Sequence, residues 1–243
     1  MNIIKLNATD STNDYLKSLI KDTPVPNNTL VVTQVQKRGK GQHGNVWRSQ
    51  DGKSLTFSMY RAFSQHQDCY PFMPQMVVSL AIVNVLKSFQ IPDLQIKWPN
   101  DILSYNKKLG GILIENIWTK GQPTHRIIGI GLNVNDLPDP ELPKATSLFQ
   151  ITGAQFNLDE VLRGLHQEIA VLFDAFKVVE QDRYFDQYHD YLFKKDVVAT
   201  FKDTQGTVFS AIVKGVSPQG DLQLEKQDEN LVSYAVKEVA MLY

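Results

Sequence analysis

Runs of apolar residues with a helical period predict three long helices and a shorter fourth. In STNDYLKSLIKD (11–22) the apolar positions fall on one face, behind two good N-cap residues. PFMPQMVVSLAIVNVLKSF (71–89) is apolar on almost every side, which is typical of a buried helix. NLDEVLRGLHQEIAVLFDAFKVV (157–179) is amphipathic and starts with a capping asparagine, and QDRYFDQYHDYLF (181–193) is the shorter helix.

Strand-like segments lie between these helices. The predicted strands of the main body are LVVTQV, SLTFSMY, LQIKW, ILSY, LGGILIENIW and THRIIGIGLNVN, with the turn NKK (106–108) between ILSY and LGGILIENIW. The proline-rich stretch DLPDPELPKATSL (136–148) predicts a long irregular loop. Helices and strands do not alternate strictly, so the body is predicted to be α+β with a mixed β-sheet and packed helices.

From about residue 194 the pattern changes to short strands separated by turn sequences such as DTQG and SPQGD. This pattern predicts a small all-β unit of barrel-like type. The expected domains are residues 1–192 and residues 193–243.

Composition narrows the class of protein. The chain has 243 residues, 42% of them hydrophobic, and a formal net charge of −1, which argues against a surface built as a whole for nucleic acid. The single cysteine, Cys69, cannot form an internal disulfide and fits a reducing compartment. The first residues lack the pattern of a secretory signal, and the longest apolar stretch is too short to span a bilayer. A cytoplasmic protein without a membrane segment is therefore expected.

The segment QVQKRGKGQHGNVW (34–47) follows an apolar strand and carries three glycines and three cationic side chains. Backbone amides freed by glycine can converge on an anion, and nearby cations add charge for a phosphate or a carboxylate. The segment matches neither the phosphate loop of nucleotide hydrolases nor the dinucleotide fingerprint, because no helix pattern follows it. By itself it is equally consistent with a flexible surface hairpin.

KWPND (97–101) ends a strand abruptly, because Pro99 fixes its own φ and keeps Trp98 extended. Asn100 and Asp101 are then presented where the strand stops. A carboxylate there is suited to Mg²⁺ or to a substrate amine. A turn in which both side chains satisfy their own backbone is the alternative.

Two further clusters carry polar side chains beside glycines. In NKKLGGILIEN, Lys108 precedes Gly110 and Gly111, and paired glycines in a strand often mark a bulge or the close approach of a ligand. In GIGLNVN, the glycines leave room and Asn133 can donate and accept, as a purine edge requires. A surface lysine and a satisfied strand-end asparagine are the alternatives. The five histidines and Cys69 show no metal-ligand spacing, and no GxSxG serine-hydrolase motif is present.

Taken in order, STN, TQVQKRGKGQHGNVW, IKWPNDI, KKLGGILIEN, IGIGLNVN and ATSL resemble the biotin–protein ligase family over the whole chain. The resemblance implies an α+β catalytic domain followed by a C-terminal SH3-like β-barrel. It also implies a two-step reaction. Biotin and MgATP would give biotinyl-5′-AMP and pyrophosphate, and a lysine of a biotin carboxyl carrier domain of a biotin-dependent carboxylase would then take the biotinyl group.

The resemblance also implies roles for individual residues. Those expected to bind biotin are Ser11, Thr12, Asn13, Gln36, Gly39, Lys40, Gly41, Gln42, Lys108 and Gly111. Those expected to bind the nucleotide are Gly44, Trp47, Asn100, Lys108 and Asn133. Lys108, Lys40 and Asp101 are expected to act in catalysis, with Asp101 also near Mg²⁺ or the incoming lysine. The glycine loop is expected to close over the adenylate.

The chain departs from the family pattern at two places. A common form of the loop is GRGRRG, whereas this chain has GKGQHG, with Gln42 and His43 in place of arginines. Because glutamine has no charge, the loop is expected to hold the adenylate more loosely. STN begins at residue 11, so no helix-turn-helix fits before it and no DNA binding is expected. A homodimer is left open.

Three other functions compete with this one. A ligase of the same fold for lipoate or octanoate is the first, and Gln36 with KWPND favours biotin over it. A non-catalytic sensor of biotin or its adenylate is the second, disfavoured by the presence of Lys108, Asp101 and the glycines. An adaptor built around the SH3-like unit is the third, disfavoured by the large body with its ligand-like loops.

Overall fold

The computed structural model describes residues 2–63, 71–137, 139–176, 178–227 and 229–243. A seven-stranded mixed sheet forms the main body, in the order β1-β2-β3-β7-β6-β5-β4. Its strands are β1 (Ile3–Thr9), β2 (Leu30–Gln36), β3 (Leu55–Ala62), β4 (Leu94–Lys97), β5 (Asp101–Ser104), β6 (Lys107–Thr119) and β7 (Gln122–Leu132). The predicted α+β class with a mixed sheet is confirmed. His66 and Cys69 lie outside the described residues.

All four predicted helices are present, and a short fifth one follows the proline-rich loop. The helices are α1 (Thr12–Asp22), α2 (Met73–Ser88), α3 (Leu148–Thr152), α4 (Leu158–Ala175) and α5 (Gln181–Asp190). Ser11 caps α1 by accepting a hydrogen bond from the Asp14 amide, and Asn157 caps α4 in the same way. No helix in the described part of the chain is long and apolar enough to cross a bilayer.

The first strand, β1, was missed by the sequence analysis. It lies at the edge of the sheet, parallel to β2, with Ile3 opposite Leu30. Its residues are mostly exposed or half-buried, so its apolar signal is weak. An edge strand of this kind is defined by its pairing with β2 more than by its own sequence.

The position of the turn before β6 also differs from the prediction. The two turn residues are Tyr105 and Asn106, both with positive φ (48° and 61°), rather than NKK. This is the two-residue hairpin geometry in which asparagine is favoured. Lys107 and Lys108 therefore belong to β6, where Lys108 pairs with Leu103. The ammonium group of Lys108 is thus carried by a strand and not by a turn.

Strand β3 lies at the centre of the sheet, and every residue from Leu55 to Arg61 is buried. Both faces are covered because α1 packs on one side of β3 and α4 on the other. Between α1 and the sheet a small cluster forms around Leu16, Val31 and Tyr60. The main core lies on the opposite face with α2 and α4.

A second, antiparallel sheet has the order β11-β10-β9-β8-β12. Its strands are β8 (Val198–Asp203), β9 (Val208–Val216), β10 (Leu222–Glu225), β11 (Leu231–Tyr234) and β12 (Val239–Leu242). Within the described residues no ladder joins β11 to β12, so the pairing is that of an open sheet and a closed barrel is not observed. The turn between them brings β12 onto β8 instead. The Trp98 indole donates to the Gly220 carbonyl at 2.8 Å and ties this sheet to the main body.

His189 makes the contact between α5 and the second sheet sensitive to pH. Its Nε2 accepts a hydrogen bond from the Val216 amide at 2.9 Å, and burial lowers the pKa of His189 below its usual 6.5. The unfolded chain therefore takes up a proton first as the pH falls. We expect the free energy of unfolding to be greatest above pH 6.5 and to decrease as the pH falls through the lower folded pKa.

Urea unfolding on either side of pH 6.5 measures this effect. His189→Gln keeps an acceptor for the Val216 amide but cannot titrate, so its stability should change less with pH. The same pH dependence in both proteins would contradict the assignment.

Candidate active site

Two cavities meet on one face of the main sheet. The first cavity, of about 360 Å³, lies between the start of α1, the glycine loop, KWPND and β12. The second cavity, of about 600 Å³, lies between the glycine loop and the loop of residues 133–147. Residues that line both cavities are Gln36, Val46, Trp47 and Lys108. A ligand that bridges the two cavities would pass these four side chains.

Polar groups line the first cavity where α1 begins. Gln36 Oε1 accepts from the Thr12 amide at 2.9 Å, and Thr12 Oγ1 lies 2.7 Å from the buried Ser58 hydroxyl. Ser58 also hydrogen-bonds Asn13 Oδ1. Gly129 on β7 makes room for this amide, because a Cβ there would lie 2.4 Å from Asn13 Oδ1. The sequence-predicted STN and Gln36 are thus brought together.

The glycine loop folds into a closed hairpin. The Gly41 amide donates to the Asn45 carbonyl at 2.7 Å, and the Trp47 amide donates to the Gly39 carbonyl at 3.0 Å. Lys40 lines the first cavity, but its Nζ lies 2.6 Å from Asp14 Oδ2. The hydrogen bond that Lys40 donates to the Asp14 carboxylate raises the pKa of Lys40. In this arrangement the Lys40 ammonium group forms an ion pair with a carboxylate on α1.

Trp47 forms the wall between the two cavities. Its ring lies against two glycines of the sheet, since a Cβ on Gly131 would lie 2.2 Å from the indole and one on Gly111 would lie 3.4 Å away. Trp47 Nε1 is buried without a hydrogen-bond partner, and so is Gln42 Oε1. Buried polar atoms are normally satisfied, so this donor and this acceptor point to a ligand.

Three charged side chains from KWPND and β6 meet at the rim. Asp101 Oδ1 lies 2.6 Å from Lys108 Nζ, and Asp101 Oδ2 lies 3.6 Å from Lys97 Nζ. Burial lowers the pKa of Lys97, and Asp101 opposes that effect. Lys108 Nζ is also 5.7 Å from the centre of the Trp47 ring. Two ammonium groups thus share one carboxylate, which leaves excess positive charge for an anion.

The arrangement around Asp101 does not fit a magnesium ligand. Both of its oxygens face ammonium groups, and no cluster of three or more His, Cys, Asp or Glu that could hold a metal occurs in the described part of the chain. Mg²⁺ usually takes one or two carboxylates together with substrate phosphates. The role of Asp101 as a metal ligand remains a prediction without support from this geometry.

The loop of residues 133–147 closes the second cavity and is anchored at Lys108. The Lys108 amide donates to the Lys144 carbonyl, and the Thr146 amide donates to the Lys108 carbonyl. Asn133 lines the cavity, and its Nδ2 donates to the Thr146 carbonyl at 3.0 Å. The predicted irregular loop is confirmed over its described part, which excludes Pro138.

Most sequence-predicted site residues line one of the two cavities, with some changes of place. Asn100 and Asp101 line the first cavity. Of these two residues, Asn100 was predicted to bind the nucleotide. Gly39 and Gly44 are not among the described lining residues of either cavity. At Gly39 a Cβ would lie 2.3 Å from the Trp47 carbonyl oxygen, so a larger residue would not fit the closed hairpin.

Several lining residues were missed. They include Lys97 and Trp98 at the first cavity, Lys37, Arg48 and Gln50 at the second, and the segment 236–241 apart from Glu238 at the first. Lys97 and Trp98 belong to the KWPND motif, so the sequence carries a local signal for them. The C-terminal residues carry no local signal, because their place depends on how the second sheet docks.

Comparison with known proteins identifies the family. Residues 6–133, just over half of the chain, match the biotin/lipoate A/B protein ligase family. The bifunctional ligase/repressor BirA of Bacillus spizizenii is 34% identical over 142 residues, 57% of this chain and 43% of the relative. The human biotin–protein ligase is 34% identical over 140 residues, 55% of this chain and 19% of the relative. The chain therefore spans less than half the length of these two relatives.

Solved structures share the fold over the full chain. The Aquifex aeolicus biotin protein ligase in complex with biotin and ATP matches with a TM-score of 0.82 and 24% identity, covering 99% of this chain and 98% of that one. This likeness extends through the second sheet, which lies outside the residues matched by the family model. Because residues 6–133, more than half of the chain, match this family, the chain belongs to the biotin/lipoate A/B protein ligase family.

Proposed function

We propose that this protein is a biotin–protein ligase. It activates biotin with ATP as biotinyl-5′-AMP and transfers the biotinyl group to a lysine of a biotin carboxyl carrier domain. The observation that carries the proposal is the meeting of two cavities at Lys108, one with a polar end suited to a ureido ring and one with room for a nucleotide. Relatives named as biotin–protein ligases support it.

The residues at the junction suit the first step. A biotin carboxylate oxygen attacks the α-phosphorus of ATP, and the bond from that phosphorus to the pyrophosphate oxygen breaks. Lys108, shared by both cavities, stabilises the negative charge that develops on the phosphoryl oxygens. Trp47 and the two closing loops keep water from the reactive anhydride. Mg²⁺ would be bound by the phosphates of ATP, and no residue of this chain is assigned to it.

The second step uses the rim of the first cavity. The amine of the carrier lysine attacks the acyl carbon, the carbon–oxygen bond to the phosphate breaks, and AMP leaves while the amine gives up a proton. Asp101 lies at this rim and is 14% exposed, beside Lys108 and Lys97. Both of its carboxylate oxygens already face ammonium groups, so in this step Asp101 holds Lys108 and Lys97 beside the acyl phosphate.

Biotin, lipoate and octanoate are the acids that this fold could activate, and the first cavity distinguishes between them. The end of the first cavity at α1 presents the amides of Asn13 and Gln36 and the hydroxyls of Ser11 and Thr12. These groups already form some hydrogen bonds within the protein, but a purely apolar chain would use none of their remaining donors and acceptors, which costs binding. A ring with both carbonyl and N–H groups satisfies them, so biotin is favoured.

Intact mass of a purified biotin carboxyl carrier domain tests the proposal. Incubation with this protein, biotin and MgATP should add the mass of one biotinyl group. The addition should be absent without ATP and absent when the target lysine of the carrier is replaced. Incorporation of lipoate or octanoate with no incorporation of biotin would move the assignment to the other acids of the family. Bound biotin without any acyl transfer would favour a sensor.

Gln42 gives a prediction about retention of the intermediate. Its amide is neutral, and its buried Oε1 has no partner. Gln42→Arg would add a positive charge beside the phosphate of the adenylate and should reduce the release of biotinyl-5′-AMP several-fold. Biotin label on bystander lysines, counted by mass spectrometry, should fall accordingly. A leak no greater in the natural protein than in Gln42→Arg would refute the expected loose hold.

Further properties of the protein are proposed as well. They are a division into domains at residues 192 and 193 and a cytoplasmic location. The division is compatible with the two sheets, although both contribute to one hydrophobic core. Whether the enzyme forms a homodimer is measured by light scattering.

A further inference from the structure

Glu115 on β6 lies outside both cavities, yet its carboxylate touches a residue that lines the first one. Glu115 Oε2 accepts from Asn13 Nδ2 at 2.7 Å, and Glu115 Oε1 lies 2.6 Å from Lys17 Nζ. We propose that Glu115 is a positioning residue that selects for a cyclic urea by fixing the orientation of the Asn13 amide. This inference rests on the proposed function, because it concerns recognition of the same acid.

The orientation of Asn13 follows from the chemistry of its neighbours. A carboxylate and the Leu113 carbonyl, which lies 3.4 Å from Nδ2, can only accept hydrogen bonds. The amide must therefore turn its NH₂ group to them. Its oxygen then points to the other side, where it meets the Ser58 hydroxyl and lies against Gly129 at the first cavity. One lone pair of this oxygen remains for a ligand N–H.

Gln36 is fixed in the opposite sense. The Thr12 amide can only donate, so Gln36 Oε1 must face it and Nε2 is turned toward Gly39. The first cavity thus offers an acceptor from Asn13 and a donor from Gln36. A cyclic urea carries N–H donors beside a carbonyl acceptor and matches both. An apolar acyl chain matches neither.

The substitution Glu115→Gln should turn the acceptor that Asn13 presents into a donor. Lys17 can only donate, so the new amide would turn its oxygen to Lys17 and its NH₂ group to Asn13. Asn13 would then rotate and present N–H to the ligand N–H. We expect the KM for biotin to rise about 10- to 100-fold, the cost of a lost and an opposed buried hydrogen bond. The KM for ATP should stay within about twofold of the natural protein, since Glu115 does not line the second cavity.

A reciprocal exchange separates positioning from a merely structural role. Asn13→Asp alone sets two carboxylates against each other and should also weaken biotin binding. Combined with Glu115→Gln, it restores a hydrogen bond, with the donor now on β6 and an acceptor again facing the ligand. The double variant should therefore bind biotin better than either single variant.

Biotin-dependent release of pyrophosphate, with biotin and ATP varied in turn, is the measurement. Melting temperatures of all variants report folding. No biotin-dependent release by the natural protein would refute the proposed function itself. Release by the natural protein together with an unchanged biotin KM in Glu115→Gln would overturn this inference alone. A double variant as impaired as the worse single variant would also overturn it.

Discussion

Lys108→Ala should lower kcat for biotin-dependent pyrophosphate release by about 10²- to 10³-fold, the usual effect of removing one group that stabilises transition-state charge. Lys108 is the only cationic residue among the described linings that both cavities share. Its ammonium group, 2.6 Å from Asp101, lies where the two substrates would meet. Pyrophosphate release slowed to this extent, in a variant that still folds, would establish that Lys108 acts in catalysis.

Lys107→Ala is the matched control, because Lys107 is the preceding residue of β6 and its side chain is exposed. It should retain the activity of the natural protein. Pyrophosphate release and melting temperature are measured on both variants. Full activity in Lys108→Ala would remove the basis for placing the adenylation step at the junction of the cavities.

Gly131→Ala should reduce activity strongly through the position of Trp47. A methyl group on Gly131 would lie 2.2 to 2.6 Å from three atoms of the indole, so the ring must move. The wall between the cavities would then shift toward the ligands. We expect kcat/KM for biotin to fall about 100-fold, a loss comparable to that caused by other small displacements in active sites. Overpacking should also cost about 1–3 kcal/mol of stability.

Gly164→Ala serves as the comparison for Gly131→Ala. Gly164 lies on α4, where a Cβ would approach only the two methyl groups of Val85, at 3.3 and 3.9 Å. This variant should keep its activity. Steady-state kinetics and tryptophan fluorescence distinguish the two variants. Unchanged activity and fluorescence in Gly131→Ala would mean that Trp47 does not occupy this position in the working enzyme.

Prediction from sequence succeeded where the signal is local. Helices α1 and α4 have periodic apolar faces and capping side chains, and α2 is a long segment that is apolar on almost every side. The existence and approximate ends of all three were therefore predicted correctly. It failed at β1, whose half-exposed residues are strand-like only because β2 lies beside them. It also failed at the turn before β6, where the positive φ of Tyr105 gives no signal in the sequence.

The candidate site shows the same division. The sequence by itself determined which residue types are available: the STN start of α1, the glycine loop, KWPND, Lys108 and Asn133. Only the tertiary structure decided which charges are free, because ion pairs such as Lys40 with Asp14 join residues distant in the chain. It also decided that Trp47 rests on Gly131 and that Glu115 orients Asn13. Local periodicity records how a segment folds, whereas these contacts depend on how folded segments meet, and that is fixed by packing of the whole chain.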